Sequence, residues 1–205
     1  MSESRLAGIF LPTRNGLHFA NRFPSGPTVR LGPLDPRWFG IGDASSGLCG
    51  GMATFVRERF ATGQPIPADT QPPANGSPLF KALVRRQVQS LEWMRTPFAF
   101  WRMGAFATDR MAQRSRDRHW PRIRTSIDAG RLAMIGLVRS KGINPAKLTK
   151  NHQVLCYGYD VAGDVIRLRL YDPNWPDRDD VTATIERDRL LQSTGEPLFG
   201  ILSLD

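Results

Sequence analysis

From residue 49 onward, Cys49, Met52, Ala53, Phe55, Val56 and Phe60 recur at helical spacing, while Arg57, Glu58 and Arg59 supply a polar side. The pattern predicts a helix over about 49–61, ended by Gly63. A proline-rich connector, TGQPIPADTQPPANGSP, follows over 62–78. Ser77-Pro78 then supplies an N-cap and a proline at the first helical position. The apolar stripe Leu79, Phe80, Leu83, Val84, Val88, Leu91 and Met94 predicts a second helix, stopped or kinked at Pro97. More helix is expected over 99–116. After Trp120-Pro121, RIRTSIDAG reads as a short helix closed by Gly130.

Beyond Gly130 the pattern becomes β-type. RLAMIGLVRS, HQVLCYGYDV, DVIRLRLYDP, VTATIERD and LFGILSLD are five runs rich in Val, Ile, Leu and Tyr, separated by Gly, Asp, Asn or Pro. Residues 1–46, rich in Gly, Pro and Asn, read as extended or turn structure covering a surface. Helices before strands predict an α+β fold in one domain over 1–205. A helical lobe over about 43–118 packs against a mainly antiparallel β lobe over about 119–205, with a cleft where they meet.

At 205 residues and 40% hydrophobic content the chain can bury a sizeable core. No stretch resembles a secretory signal or approaches the ~20 apolar residues of a membrane span, so a cytoplasmic protein is expected. Two cysteines and three scattered histidines lack zinc-site spacing, and neither metal nor cofactor is expected. The net charge of +9 is concentrated: residues 81–124 hold eleven Lys/Arg against Glu92, Asp109 and Asp117. That segment is either a solvated face or a surface for an acidic partner, nucleic acid or anionic lipid.

Candidate chemistry starts in GDASSGLCGGM. Cys49 at the first turn of a helix lies near the positive end of the helix dipole, which favours its thiolate. Gly47, Gly50 and Gly51 would let backbone approach the site as an oxyanion pocket needs. The alternative is a small buried cysteine packed under a glycine turn. In NHQVLCYGYDVAGDVIRLRLYDPNWP, a hairpin centred on Ala162 sets His152 directly opposite Asp172 on one face. A histidine held by a carboxylate has a fixed tautomer and can deprotonate a thiol. Cys156, on the same face through Val154, reads as packing, and His18 and His119 as surface or interface residues. Trp93, Phe98, Phe100, Trp101 and Phe106 read as core of the helical lobe, or as a lid or membrane-surface patch.

The order GLCGGM, then NHQVLCYGYD, then LRLYDPNWP resembles the papain-like cysteine peptidase superfamily, most of all stand-alone relatives of the bacteriocin-processing (double-glycine leader) peptidases. The resemblance spans residues 43–176 and is specific around Cys49, His152 and Asp172. It implies Cys49 as nucleophile, His152 as general base and then acid, and Asp172 as orienting group, with Asn174 as the alternate orienter. In one respect the chain departs from the family: the oxyanion-holding Gln six residues before the cysteine is here Asp43. An ionised carboxylate accepts hydrogen bonds and repels an oxyanion.

The combined reading is a thiol hydrolase, a peptidase acting on an amide or acyl bond of a peptide or protein. Two alternatives stay open: a catalytically impaired papain-like fold that binds an acidic partner through its basic helical lobe, and a transglutaminase- or acyltransferase-type enzyme.

Overall fold

The computed structural model of the chain describes residues 2–23, 47–90, 96, 98–100, 102, 110–142 and 150–205. Strand β1 (Ser2–Leu6) and a single turn, α1 (Pro12–Asn15), precede the two main helices, α2 (Cys49–Ala61) and α3 (Pro78–Ser90). Ser77 caps α3, its Oγ accepting the Phe80 N–H. Helix α4 (Met111–Arg114) passes through a π-helical turn (Ser115–His119) into α5 (Trp120–Asp128). Six strands follow: β2 (Ala133–Val138), β3 (His152–Ala162), β4 (Val165–Tyr171), β5 (Thr182–Ile185), β6 (Leu190–Gln192) and β7 (Gly200–Ser203). The result is an N-terminal helical region against a C-terminal curled antiparallel sheet.

Trp120-Pro121 is not the break that the sequence suggests. Proline lacks an N–H and its ring crowds the carbonyl four residues back, which here belongs to Asp117. That residue lies in the π turn, whose wider spacing passes the Trp120 N–H to Ser115 O and lets the helix continue through the proline. Gly130 ends α5 with φ +72°.

The strand order is β6-β5-β4-β3-β2-β7, with β1 also paired to β3. β3 organises the sheet: residues 152–156 pair with β2, residues 158–162 pair with β1 on the same side, and β4 lies on the other. The switch from β2 to β1 coincides with a bulge at Tyr157, where the β3–β4 register shifts between Cys156 and Gly158. Strands β1 and β6 lie outside the five apolar runs of the sequence. β1, SESRL, is mostly exposed and is held by its partner strand rather than by an apolar face.

One continuous apolar cluster joins α2, α3, α5 and the sheet. The N-terminal segment enters it, with Ala7, Phe10, Leu17, Phe19 and Phe23 buried, so the segment contributes core and does not merely cover it. Phe10 packs edge-on against Phe60 of α2 at 5.1 Å and at a tilt against Tyr157 of β3 at 5.4 Å, tying helix to sheet. Phe100 is buried in a smaller cluster with Met111, Val138 and Leu202, whereas Phe98 is exposed. Trp93, Trp101 and Phe106 lie outside the described residues. No described helix is long and apolar enough to cross a membrane.

Candidate active site

Cys49 is the first residue of α2, and the helix that carries it is fixed by glycines. A Cβ on Gly51 would overlap the Leu83 carbonyl oxygen of α3, and one on Gly50 would come within 2.7 Å of Gln153 Oε1. Gly50 and Gly51 thus serve the close approach of α2 to α3 and β3. Gly47 turns into the helix at φ +89°, beside the Asn21 carboxamide.

The hairpin turn is Gly163-Asp164, so the pairing is centred between these two residues and not on Ala162, because glycine takes the positive φ (+56°) at the first turn position and Ala162 stays in the strand. His152 and Asp172 therefore do not share a rung. Counted from the turn alone, Asp172 would stand opposite Leu155, on the other face from His152. The bulge at Tyr157 shifts the register by one, so Leu155 pairs with Tyr171, and that register continued one residue past β4 sets Asp172 against Val154. Val154 and His152 share a face, and the aspartate reaches the histidine on the diagonal.

That diagonal is closed by a 2.5 Å contact between His152 Nε2 and Asp172 Oδ1, both side chains being buried. The same carboxylate accepts the Asn174 N–H at 2.9 Å, Gln192 Nε2 at 3.1 Å and Arg139 Nη2 at 3.3 Å. Arg139 also donates to Gln192 Oε1 at 2.9 Å. Burial opposes ionisation of Asp172, but the His152 charge and hydrogen bond, the Asn174 N–H and the Arg139 charge together hold its pKa below the usual value.

Cys49 and His152 act on each other electrostatically, each favouring the charged form of the other. Since Nε2 belongs to Asp172, Nδ1 is the ring nitrogen left for the sulfur. The Gln153 N–H points at Cys49 Sγ from 3.5 Å, and the Gly50 N–H adds a further donor. Burial works against the thiolate, but the histidine and these N–H groups outweigh it and lower the thiol pKa. Burial likewise opposes the imidazolium, and the facing Asp172 and Cys49 overcome it, raising His152 to about 9. Both shifts favour a thiolate–imidazolium pair. Cys49 is half-buried and thus reachable. Cys156 is fully buried, its Sγ directed at Gly158 O, with burial pushing its pKa up to about 12.

Asn174 does not face the histidine. Its Oδ1 accepts Asn21 Nδ2 at 3.1 Å, and Asn21 Oδ1 in turn accepts the Leu48 N–H at 2.6 Å. Asn21 thus bridges the Asp172–Trp175 turn to the residue before Cys49. Its own N–H donates to Pro173 O at 2.8 Å. Asp43, with Ser45 and Ser46, lies outside the described residues. The Cys49 N–H has no partner among the described residues.

Arg139, Gln192 and Asn21 were not singled out from the sequence. Arg139 ends an apolar strand whose neighbour begins at His152, and a charged residue at that position is the one local signal. Among the described residues no group of three His, Cys, Asp or Glu could hold a metal ion. His18 is at the surface, its Nδ1 2.6 Å from Asp177 Oδ1, whereas His119 is buried, contrary to the surface assignment. Comparison with protein-family models, curated proteins and solved structures finds no match.

Proposed function

We propose that the chain is a papain-like thiol hydrolase, a peptidase in which Cys49, His152 and Asp172 act on an amide or acyl bond of a peptide or protein. The observation that carries this reading is the buried Asp172 Oδ1–His152 Nε2 contact, whose histidine favours the thiolate of a half-buried cysteine at a helix start. The Cys49 thiolate attacks the carbonyl carbon, forming the C–S bond. The oxyanion that forms on the carbonyl oxygen is met by the Cys49 N–H and the positive end of α2. His152, charged at neutral pH, gives its proton to the departing amine. It then takes one from the water that cleaves the thioester. Asp172 fixes the ring and stabilises the imidazolium. Interception of the same acyl-enzyme by an amine or alcohol would give the transferase variant of this chemistry.

Alkylation of native protein across pH tests the reading, because Cys156 is buried and silent. Cys49 should react with iodoacetamide at neutral pH with an apparent pKa about one unit or more below the ~8.5 of a free thiol. His152→Ala should remove most of that enhancement. An inert Cys49 at pH 7 would overturn the nucleophile assignment.

A second reading, an impaired fold of this kind that binds an acidic partner through 81–124, draws support from Asp43 at the position of the family's oxyanion Gln. It requires the opposite labelling result together with retained polyanion binding.

A further inference from the structure

Seven of the eleven cations of segment 81–124 fall into two sets. Arg86 pairs with Glu58, Arg124 with Glu3 and Asp128, and Arg116 donates to the backbone oxygens of Asp164 and Ile185. Arg102, Arg114, Arg118 and Arg122 have no carboxylate partner among the described residues. Those four line one cavity of about 240 Å³ together with His119, Ser203 and Asp205.

Three of them, Arg114, Arg118 and Arg122, follow one another at every fourth position along the helical stretch that contains the π turn. Unrelieved like charges at i,i+4 oppose helix formation, so the arrangement has a standing electrostatic cost. The carboxylate within reach does not relieve it: Asp205 Oδ1 is paired with Arg57, and its Oδ2 accepts the Met134 N–H at 3.0 Å. The wall also holds a buried polar ring. His119 Nδ1 accepts the Ser203 N–H at 3.2 Å, which fixes the neutral tautomer and leaves Nε2–H as a donor. Burial and then the charges of Arg118, Arg114, Arg122 and Arg102 hold His119 neutral, down to a pKa of about 4. All four guanidinium charges are thus felt at one point.

We propose that this cavity is a binding site for a small, multiply charged phosphoryl anion of the phosphate or pyrophosphate class. Guanidinium forks match phosphoryl oxygens in pairs, and a ligand of charge −2 or more would relieve the repulsion along the helix. At about 240 Å³ the cavity falls below the ~300–1,000 Å³ of sites that enclose a drug-sized ligand, which selects a phosphoryl group rather than a whole nucleotide. Two sources supply this chemistry, a free anion and the phosphomonoester end of a lipid headgroup. The recognition chemistry is the same for both.

Calorimetric titration of the full chain with inorganic pyrophosphate tests the site, with Arg118→Gln, Arg122→Gln and the double variant beside wild type. Both side chains are exposed, so these proteins should fold. Arg189→Gln, which alters an exposed arginine paired with Glu186, controls for loss of net charge. Saturable binding is expected, weakened about tenfold by each cavity substitution and unchanged in Arg189→Gln. Binding absent from wild type at low salt, or lost equally in all variants, would overturn the site. Where pyrophosphate binds, its displacement by phosphatidic acid vesicles but not by phosphatidylcholine vesicles assigns the anion to a headgroup. Retention against both assigns it to a free anion, and either result upholds the site.

Discussion

Asp172 binds His152 with one carboxylate oxygen and Arg139 with the other, at 2.5 Å and 3.3 Å. The aspartate thus sits between two cationic partners, and the histidine receives only part of its field. Replacing it by asparagine removes the larger of the two charges that raise His152 to about 9 and leaves the burial that lowers it. In Asp172→Asn the imidazole, followed by NMR, should titrate far below its wild-type value. Cys49 alkylation at pH 6–7 should slow by an order of magnitude or more. An unchanged histidine titration would show that the 2.5 Å contact carries no electrostatic weight.

Arg139 should act in the opposite sense. Its guanidinium disfavours a second positive charge at His152, so Arg139→Met should move the histidine pKa upward and extend the alkaline range of the thiolate–imidazolium pair. The same substitution leaves the buried Asp172 with one cation fewer. It should cost about 3 kcal/mol of stability, in the range for breaking a buried ion pair, read by urea denaturation. A fall in the histidine pKa in a folded Arg139→Met protein would contradict the assignment.

The stability of the pair is pH-dependent with a defined sign. His152 is raised above its unfolded value of ~6.5, so its contribution is complete below that pH and is lost as pH rises through about 9. In a Cys49→Ala background, which removes the coupled thiol titration and the thiol's share of the upward shift, the midpoint of urea unfolding should fall as pH rises above 6.5, over a window that ends below 9. It should stay nearly flat over that window when Asp172→Asn is added. Parallel profiles for the two proteins would rule the linkage out.

How far the site was legible turns on parity. The helix bearing Cys49 could be read because its apolar spacing and flanking glycines are local signals, and α2 begins at the expected residue. The shared face of His152 and Asp172 was also reached, but through a turn centred too early, on Ala162. The true turn at Gly163-Asp164 would by itself set the two on opposite faces, and the bulge at Tyr157 restores them. A bulge has no local signature in HQVLCYGYDV, because it is imposed where β3 passes from one neighbour strand to another. Asn21 and Gln192 were illegible for a similar reason. Their partners lie 153 and 20 residues away, joined only by the folded chain.

Glycine at position 51 should be demanding for the reason that α2 and α3 cross there. A methyl at Gly51 would meet the Leu83 carbonyl oxygen and the backbone of Gln87, neither of which can rotate away. Gly51→Ala should destabilise by about 1–3 kcal/mol despite the better helix propensity of alanine, read as a lower melting temperature. By contrast Gly63→Ala, with open space around it, should cost only the strain of φ +65°. A Gly51→Ala protein as stable as wild type would mean that the helices separate freely.

Asn21 supplies the last test because it bridges the two halves of the site without touching either reacting group. Its Oδ1 caps the Leu48 N–H from outside the helix, replacing the side-chain cap that Leu48 itself cannot provide, and its Nδ2 holds Asn174 in the turn after Asp172. Asn21→Ala should therefore lower stability by about 1 kcal/mol per lost hydrogen bond. It should slow Cys49 alkylation while leaving the His152 titration close to wild type, since the Asp172 contact is intact. Asn21→Asp keeps the acceptor for Leu48 but loses the donor to Asn174, and should recover most of the alkylation rate and only part of the stability. A purely structural residue would lower stability in both variants with no separation between the two readouts. Equal alkylation rates in wild type and Asn21→Ala would therefore remove Asn21 from the positioning of Cys49.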